Sequence, residues 1–94
     1  MDKAEYSVIR GEEARQLLEN AMFSAAFDDT RKALLEALAS LDNLRDERAI
    51  ELHCMVRSLA KVKRCIEEHV TTGKLAAKSI EGSKRGLMQI LKRA

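Results

Sequence analysis

The chain has 94 residues, of which 34% are charged, and it contains no proline, four glycines and three aromatic residues. Most of the remaining positions hold strong helix formers, so the composition excludes a sheet-based fold. A domain of this size buries little surface, and a partner or self-association is the default expectation. No segment has the roughly 20 apolar residues of a membrane span, and the first residues lack a signal-peptide pattern, so we expect a cytoplasmic protein that is not secreted.

Charge is distributed unevenly along the chain. Residues 1–46 carry six basic and ten acidic side chains, whereas residues 71–94 carry six basic side chains and the single acid Glu81. The net charge of +2 therefore hides an acidic body and a basic C-terminal part. This asymmetry is typical of a chain that docks on a negatively charged surface.

The region 11–41 has helical periodicity, but its apolar residues fall on two opposite faces when residues are placed at about 100° intervals. One face holds Ala14, Leu17, Leu18, Ala21 and Ala25, and the other holds Phe23, Phe27, Leu34, Leu38 and Leu41. A break near Asn20–Ser24 resolves the conflict, because Asn20 can end one helix or cap the next. The pattern predicts a short helix at about 11–20 and a longer one at about 22–41. Because one partner helix cannot cover both stripes, we expect an oligomer or an obligate complex.

A second long helix is predicted over about 44–70. Asp42 and Asn43 supply turn residues before it, and Asp46 and Glu47 place acids in its first turn, where the helix dipole favours them. Because the connection to the preceding helix is short, the two helices should form an antiparallel hairpin.

The apolar seam predicted for this helix follows a 3,4 spacing and resembles the seam of a coiled coil. It comprises Leu52, Met55, Leu59, Val62, Ile66 and His69, widened by Val56 and Val70. Gly73, which follows two threonines, is predicted to end the helix as a left-handed C′ residue. The expected domain division is therefore an N-terminal extension (1–10), a helical hairpin core (11–73) and an arm (74–94).

The arm combines positive charge with an apolar stripe at helical spacing, and Gly82 and Gly86 are expected to make it a hinged helix. We predict that it binds a partner through Lys74, Lys78, Lys84, Arg85, Leu87, Ile90, Leu91, Lys92 and Arg93. The predicted fold class is thus all-α, an antiparallel helical hairpin with a short N-terminal helix and a basic amphipathic C-terminal helical arm.

Four potential metal ligands lie on the predicted long helix: His53, Cys54, Cys65 and His69. A single helix cannot bring all four side chains to one metal ion, because His53 and His69 would be about 24 Å apart at 1.5 Å per residue. No metal or cofactor is therefore expected. The cysteines are interpreted as small residues at the edge of the core, too far apart on one helix for a disulfide.

Catalysis is not expected either. No Gly-rich elbow and no orienting carboxylate at a recognisable spacing accompany the cysteines and histidines, and the carboxylate pairs of the chain are adjacent residues that point in different directions. The segment 82–86 lacks the spacing of a phosphate-binding loop. The sequence therefore predicts that the protein is not an enzyme.

Several short segments resemble a group of small uncharacterised helical proteins encoded near the capsid, portal and packaging genes of tailed phages and prophages. The matching segments cover about residues 10–77. They are Gly11-Glu12-Glu13-Ala14-Arg15-Gln16-Leu17-Leu18-Glu19-Asn20, Phe23 with Ala26-Phe27, Asp46, and Thr72-Gly73-Lys74-Leu75-Ala76. The resemblance implies a component of the virion or of DNA packaging, located in the host cytoplasm or the virion.

Two functions remain open at this stage. The first is a non-enzymatic virion or assembly protein that self-associates, or docks on a phage structural protein, through its helix seams and its arm. The alternative is a DNA-binding packaging or regulatory protein, similar in role to a small terminase subunit, in which the basic arm neutralises phosphates. The arm contains no aromatic residue on which a base could stack, so specific readout of nucleic acid is the less supported reading.

Overall fold

A computed structural model describes residues 2–93 of the chain, with side chains described for residues 2–84. It contains three helices: α1 (Lys3–Glu19), α2 (Ala21–Ala39) and α3 (Glu47–Arg93). No strand occurs within residues 2–93, and the all-helical prediction is confirmed. The molecule measures 76 × 26 × 19 Å, because α3 alone has 47 residues and each adds about 1.5 Å along the axis.

α1 begins eight residues before the predicted position. Asp2 is extended, with φ −81° and ψ 172°, and its carboxylate accepts a hydrogen bond from the backbone N–H of Glu5 at 2.8 Å. This is an N-cap, which satisfies one of the free donors at a helix start. The predicted start near residue 11 is therefore wrong. Residues 3–10 have only a weak apolar pattern, but the N-cap at Asp2 allows the helix to begin before them.

The predicted break near Asn20–Ser24 is confirmed, and it falls at Asn20. Asn20 is extended (φ −69°, ψ 119°) and serves both helices, since its backbone N–H donates to the carbonyl of Leu17 at 3.2 Å and its side chain accepts from the N–H of Phe23 at 2.9 Å. The Ser24 hydroxyl also donates to the carbonyl of Leu18, at 3.1 Å. One residue thus ends α1 and caps α2.

The break changes how the two apolar stripes are covered. Both α1 and α2 pack on α3, with Ala14 buried in α1 and Phe23, Phe27 and Leu34 half-buried in α2. The turn at Asn20 directs both helices towards α3, so α3 contacts residues of both stripes, and the expected association stays a prediction. Part of the first stripe stays exposed, namely Leu17, Ala21 and Ala25.

Residues 40–46 connect α2 to α3. The side chain of Asn43 accepts from the N–H of Arg45, and that of Asp46 accepts from the N–H of Arg48, both at 3.0 Å. These are short-range turn and cap interactions of the kind predicted for this segment. α3 starts at Glu47, three residues later than predicted.

The prediction that Gly73 ends the long helix is wrong. α3 continues without interruption through Gly73, and no described residue, glycine or otherwise, has a positive φ. A glycine inside a helix costs about 1 kcal/mol relative to alanine, which is too little to stop a helix that gains packing at that position. The gain comes from contact with α1.

Gly73 lies directly against Gly11 of α1. A Cβ atom added to Gly11 would lie 2.7 Å from the Cα of Gly73 and 2.9 Å from the carbonyl oxygen of His69, and a Cβ on Gly73 would lie 2.8 Å from the Cα of Gly11 and 3.0 Å from the oxygen of Ser7. Backbone atoms cannot move aside as side-chain ends can. Only glycine therefore fits at both positions of this crossing.

These contacts also give the direction of α1 along α3. Leu17 shares a groove with Ile66, whereas Val8 shares one with Ala77, so the two helices run in opposite directions. α2 continues along the same side of α3, with Phe27 beside Leu59 and Leu38 beside Ala49. The broken helix α1–α2 thus lies antiparallel to α3.

The apolar seam of α3 is offset from the predicted one. Leu52, Leu59 and Ile66 face the partner helices as predicted, but Met55 and Val62 are exposed, at 47% and 52%. A 3,4 pattern can be continued on either side of a common line of residues, and α1 and α2 lie on the Val56 side rather than the Met55 side. Within residues 47–84, the buried and half-buried positions of α3 are Ala49, Leu52, Val56, Leu59, Ile66, Val70, Gly73, Ala76 and Ile80.

The glycine crossing makes the substitution Gly73→Ala destabilising. We expect a loss of about 1–3 kcal/mol in the free energy of unfolding, because the added methyl group overpacks a backbone contact. Gly82 is the matched control on the same helix, because nothing lies within 4 Å of an added Cβ there. Gly82→Ala should stabilise by about 0.5–1 kcal/mol through helix propensity. Urea unfolding followed by circular dichroism at equal protein concentration measures both, and stabilisation by both alanines would contradict the crossing.

The offset seam gives a second prediction. Leu52 is only 2% exposed, so Leu52→Ala should lower the free energy of unfolding by about 2–5 kcal/mol through lost burial and a residual cavity. Ile50, two residues away and 59% exposed, is the control, and Ile50→Ala should cost less than about 1 kcal/mol. Thermal unfolding at equal concentration compares them, and similar losses for the two variants would show that the seam is placed on the wrong face.

Candidate interaction surfaces

The two sides of the helix pair differ in chemistry. On one side, α2 and α3 enclose a shallow groove whose floor includes Phe27, Val56 and Leu59. Its rim carries charges of both signs, and we call these residues the charged flank: Asp28, Arg31, Lys63, Arg64 and Glu67. Such a rim is well solvated and does not need to be buried by a partner.

The opposite side carries a row of exposed apolar side chains, with Asp29 among those of α2. Leu17, Met22, Met55 and Val62 are exposed there, at 40%, 77%, 47% and 52%. At about 100° per residue, these positions lie on the side of their helices that faces away from the charged flank. The exposed alanines Ala26 and Ala33 fall on the same side of α2. We call these six residues the apolar flank.

Another groove lies between the first turns of α1 and the middle of α3. It is lined by Tyr6, Ser7, Arg10, Cys65, Glu68, His69 and Thr72. The guanidinium of Arg10 lies 5.8 Å from the centre of the Tyr6 ring, a cation–π distance, and also pairs with Glu13 at 3.4 Å. The groove therefore has mixed polarity, and most of the residues that line it are exposed.

Cys54 and Cys65 are free and exposed, so the interpretation of both as core-edge residues is wrong. They lie on nearly the same side of α3 but about 16 Å apart along its axis. Cys54 is near Leu44 and Ile50, whereas Cys65 is in the groove with Tyr6. Within the described residues, no group of three or more histidine, cysteine or carboxylate side chains is placed to hold a metal ion.

Arg15 is the centre of an ionic cluster on α1. Its guanidinium donates to both carboxylate oxygens of Glu12, with the Nε bond at 3.0 Å, and to Glu19 at 2.6 Å. The hydrogen bonds and charge of Arg15 lower the pKa of Glu12, and the two carboxylates raise the pKa of Arg15. Because the groups are exposed, the cluster fixes side-chain positions more than it stabilises the fold.

The predicted partner-binding arm is only partly within the described side chains. Lys74, Lys78 and Lys84 are exposed. Lys74 also lies in a groove with Val8 and Arg15, so the arm begins beside α1 rather than beyond it. The remaining predicted residues belong to α3 but fall outside the residues whose side chains are described: Arg85, Leu87, Ile90, Leu91, Lys92 and Arg93.

Sequence reasoning missed two features that shape these surfaces. The Gly11–Gly73 crossing could have been suspected from Ala4, Gly11 and Leu18, which recur every seven residues in α1 as Gly73 and Ile80 do in α3. The apolar flank was missed because Met55 and Val62 were assigned to the core. Both features depend on which side of α3 packs against α1 and α2. The spacing of apolar residues along the chain does not determine that side.

None of the described helices is long and apolar enough to cross a bilayer. Comparison of the chain with protein-family models, with curated proteins and with solved structures found no match.

The ionic cluster gives a prediction that depends on pH. Since Arg15 lowers the Glu12 pKa below its ordinary value of 4.5, any stabilisation from this carboxylate is present above pH 4.5 and is lost as the pH falls through the folded-state pKa. Side-chain carboxyl chemical shifts followed by NMR during an acid titration measure this pKa. In the variant Arg15→Gln, the Glu12 pKa should rise towards 4.5, and an unchanged value would contradict the pairing.

Proposed function

We propose that this protein is a non-enzymatic interaction protein of phage virion assembly, which self-associates or docks on a structural partner through its helices. The working unit in this proposal is the antiparallel hairpin of α1–α2 with α3, extended by the basic arm. The observation that supports the proposal is the amount of apolar surface that stays exposed on an elongated molecule with few buried residues.

The core is small. Only three hydrophobic residues are buried among the described ones: Ala14, Ala49 and Leu52. Ten large hydrophobic side chains are exposed, several of them on one flank. Exposed apolar residues that fall together on one face mark an interaction surface in a soluble protein. The phage setting rests on the resemblance of residues 10–77, and the association rests on this surface.

The alternative is a DNA-binding packaging or regulatory protein, favoured by one specific observation. Residues 71–94 carry six basic side chains and one acid, and Lys74, Lys78 and Lys84 are exposed on one continuous helix. Such a helix can lie along phosphates without reading the bases.

The dependence of binding on salt concentration distinguishes the two functions. If association buries apolar surface, the sedimentation mass should stay the same between about 0.05 M and about 0.5 M salt, because Debye screening acts on charges and not on apolar contacts. If the basic helix binds duplex DNA with about five phosphate contacts, the logarithm of its affinity should fall with the logarithm of salt concentration with a slope near −4.5.

The experiment uses the full chain in one salt series, with analytical ultracentrifugation for association and fluorescence anisotropy of a labelled duplex for DNA binding. We expect a mass above that of one chain at every salt concentration and no saturable DNA binding at about 0.15 M salt. A chain that is monomeric throughout and binds the duplex with a steep salt dependence would replace the proposed function by the alternative.

A further inference from the structure

We propose that the outer face of α3, the side turned away from α1 and α2, binds an acidic helix of a partner protein. We call this surface the basic face and define it by Arg57, Lys61 and Arg64, which are all exposed. The assignment rests on the proposed docking on a structural partner, and it names the surface and the charge of that partner. It adds a docking surface in the middle of α3 to the one predicted in the arm.

The run of positive charge along α3 is the first argument. Residues 52–66 contain four basic side chains and no carboxylate. At about 100° per residue, Lys61 lies opposite the seam residue Leu52, and Arg57 and Arg64 lie beside Lys61. Arg64 also lines the groove of the charged flank, so the two surfaces meet along one edge. Three cations thus share the exposed side of about two helical turns.

The lack of internal ion pairs on this face is the second argument. Among the described side chains, no ion pair includes Arg57, Lys61 or Arg64. The next carboxylate on the same face is Glu68, one turn beyond Arg64, and with Glu68 counted the face still has a net positive charge. Elsewhere in the chain, three arginines each pair with a carboxylate three or four residues away: Arg10, Arg15 and Arg48. The basic face therefore complements a surface that supplies carboxylates.

Two exposed apolar side chains on the same side of α3 favour a protein over a nucleic acid. Ile50 precedes the basic face and is 59% exposed, and Leu75 follows it and is 63% exposed. They lie about 38 Å apart along the axis at 1.5 Å per residue, with the three cations between them. Phosphates make no favourable contact with apolar side chains, and a phosphate backbone along this line would also meet Glu68. A helix that carries carboxylates between apolar residues complements the whole face.

The test measures peptide binding by fluorescence anisotropy at about 0.15 M salt, where a Debye length of about 8 Å screens charges on other faces. The probe is a labelled alanine-based helical peptide of about 28 residues, long enough to span the face, with glutamate and leucine repeated along one side. The parent chain is compared with the double variants Arg57→Glu/Lys61→Glu and Lys32→Glu/Arg45→Glu. The second is the matched control, because Lys32 and Arg45 are exposed, lie outside α3 and give the same change in net charge.

We expect the parent chain and the control variant to bind the peptide with dissociation constants within about threefold of each other. Arg57→Glu/Lys61→Glu should bind at least about tenfold more weakly, as should a companion peptide with glutamine at every glutamate position. No saturable binding up to about 1 mM, equal losses in the two double variants, or equal binding of the glutamine peptide would each overturn the basic face. Helicity is checked by circular dichroism, and should Arg57→Glu/Lys61→Glu unfold, Arg57→Gln/Lys61→Gln decides, with a loss of at least about threefold expected.

A labelled DNA duplex is titrated with the same chains. If the duplex binds more tightly than the peptide and loses affinity in Arg57→Glu/Lys61→Glu, the face binds phosphates and the acidic helix is the wrong partner. Sedimentation of the parent chain reports the proposed self-association separately. A chain that associates but fails the peptide titration loses the basic face and keeps the proposed function.

Discussion

The close contact between Gly11 and Gly73 is the constraint on which the rest of the structure depends. A Cβ at either position would lie within 3 Å of the backbone of the opposite helix, so the two helices can approach this closely only at these residues. The contact fixes the register of α1 on α3, and through Asn20 it also fixes the register of α2. It places the first turns of α1 beside the segment that follows Gly73, where Val8 and Ala77 share a groove. Residues that the sequence divides into a core and an arm are therefore neighbours.

The sequence predicted the elements whose causes are local. The all-helical class followed from composition, and the break at Asn20 followed from an apolar stripe that changes faces, which a single straight helix cannot accommodate. The segment 42–46 was predicted from its short polar residues, which hydrogen-bond to nearby backbone groups in the structure. Each of these features depends on residues within a few positions of one another, so a pattern in the chain is sufficient to reveal it.

The features that were missed depend on contacts between distant segments. Gly73 has the local setting of a helix end, but a glycine cap and a glycine crossing look alike in sequence, and only the presence of Gly11 on the opposite helix distinguishes them. The seam of α3 was misplaced for a related reason: Met55 and Val56 both continue a 3,4 pattern from Leu52, and the position of α2 decides between them. The candidate interaction surface follows from that decision, because the positions removed from the core, Met55 and Val62, became part of the apolar flank.

The account is tested most directly by the distance between the two glycines. The chain contains only four glycines, so a sample labelled with 13C-glycine gives few Hα signals and contacts between them can be assigned. The account predicts a strong nuclear Overhauser effect between the Hα protons of Gly11 and Gly73, a helical Cα shift for Gly73, and no such cross-peak from Gly82, which has no neighbour within 4 Å of an added Cβ. A left-handed Cα shift at Gly73 without a cross-peak to Gly11 would restore the helix end predicted from sequence and contradict the crossing.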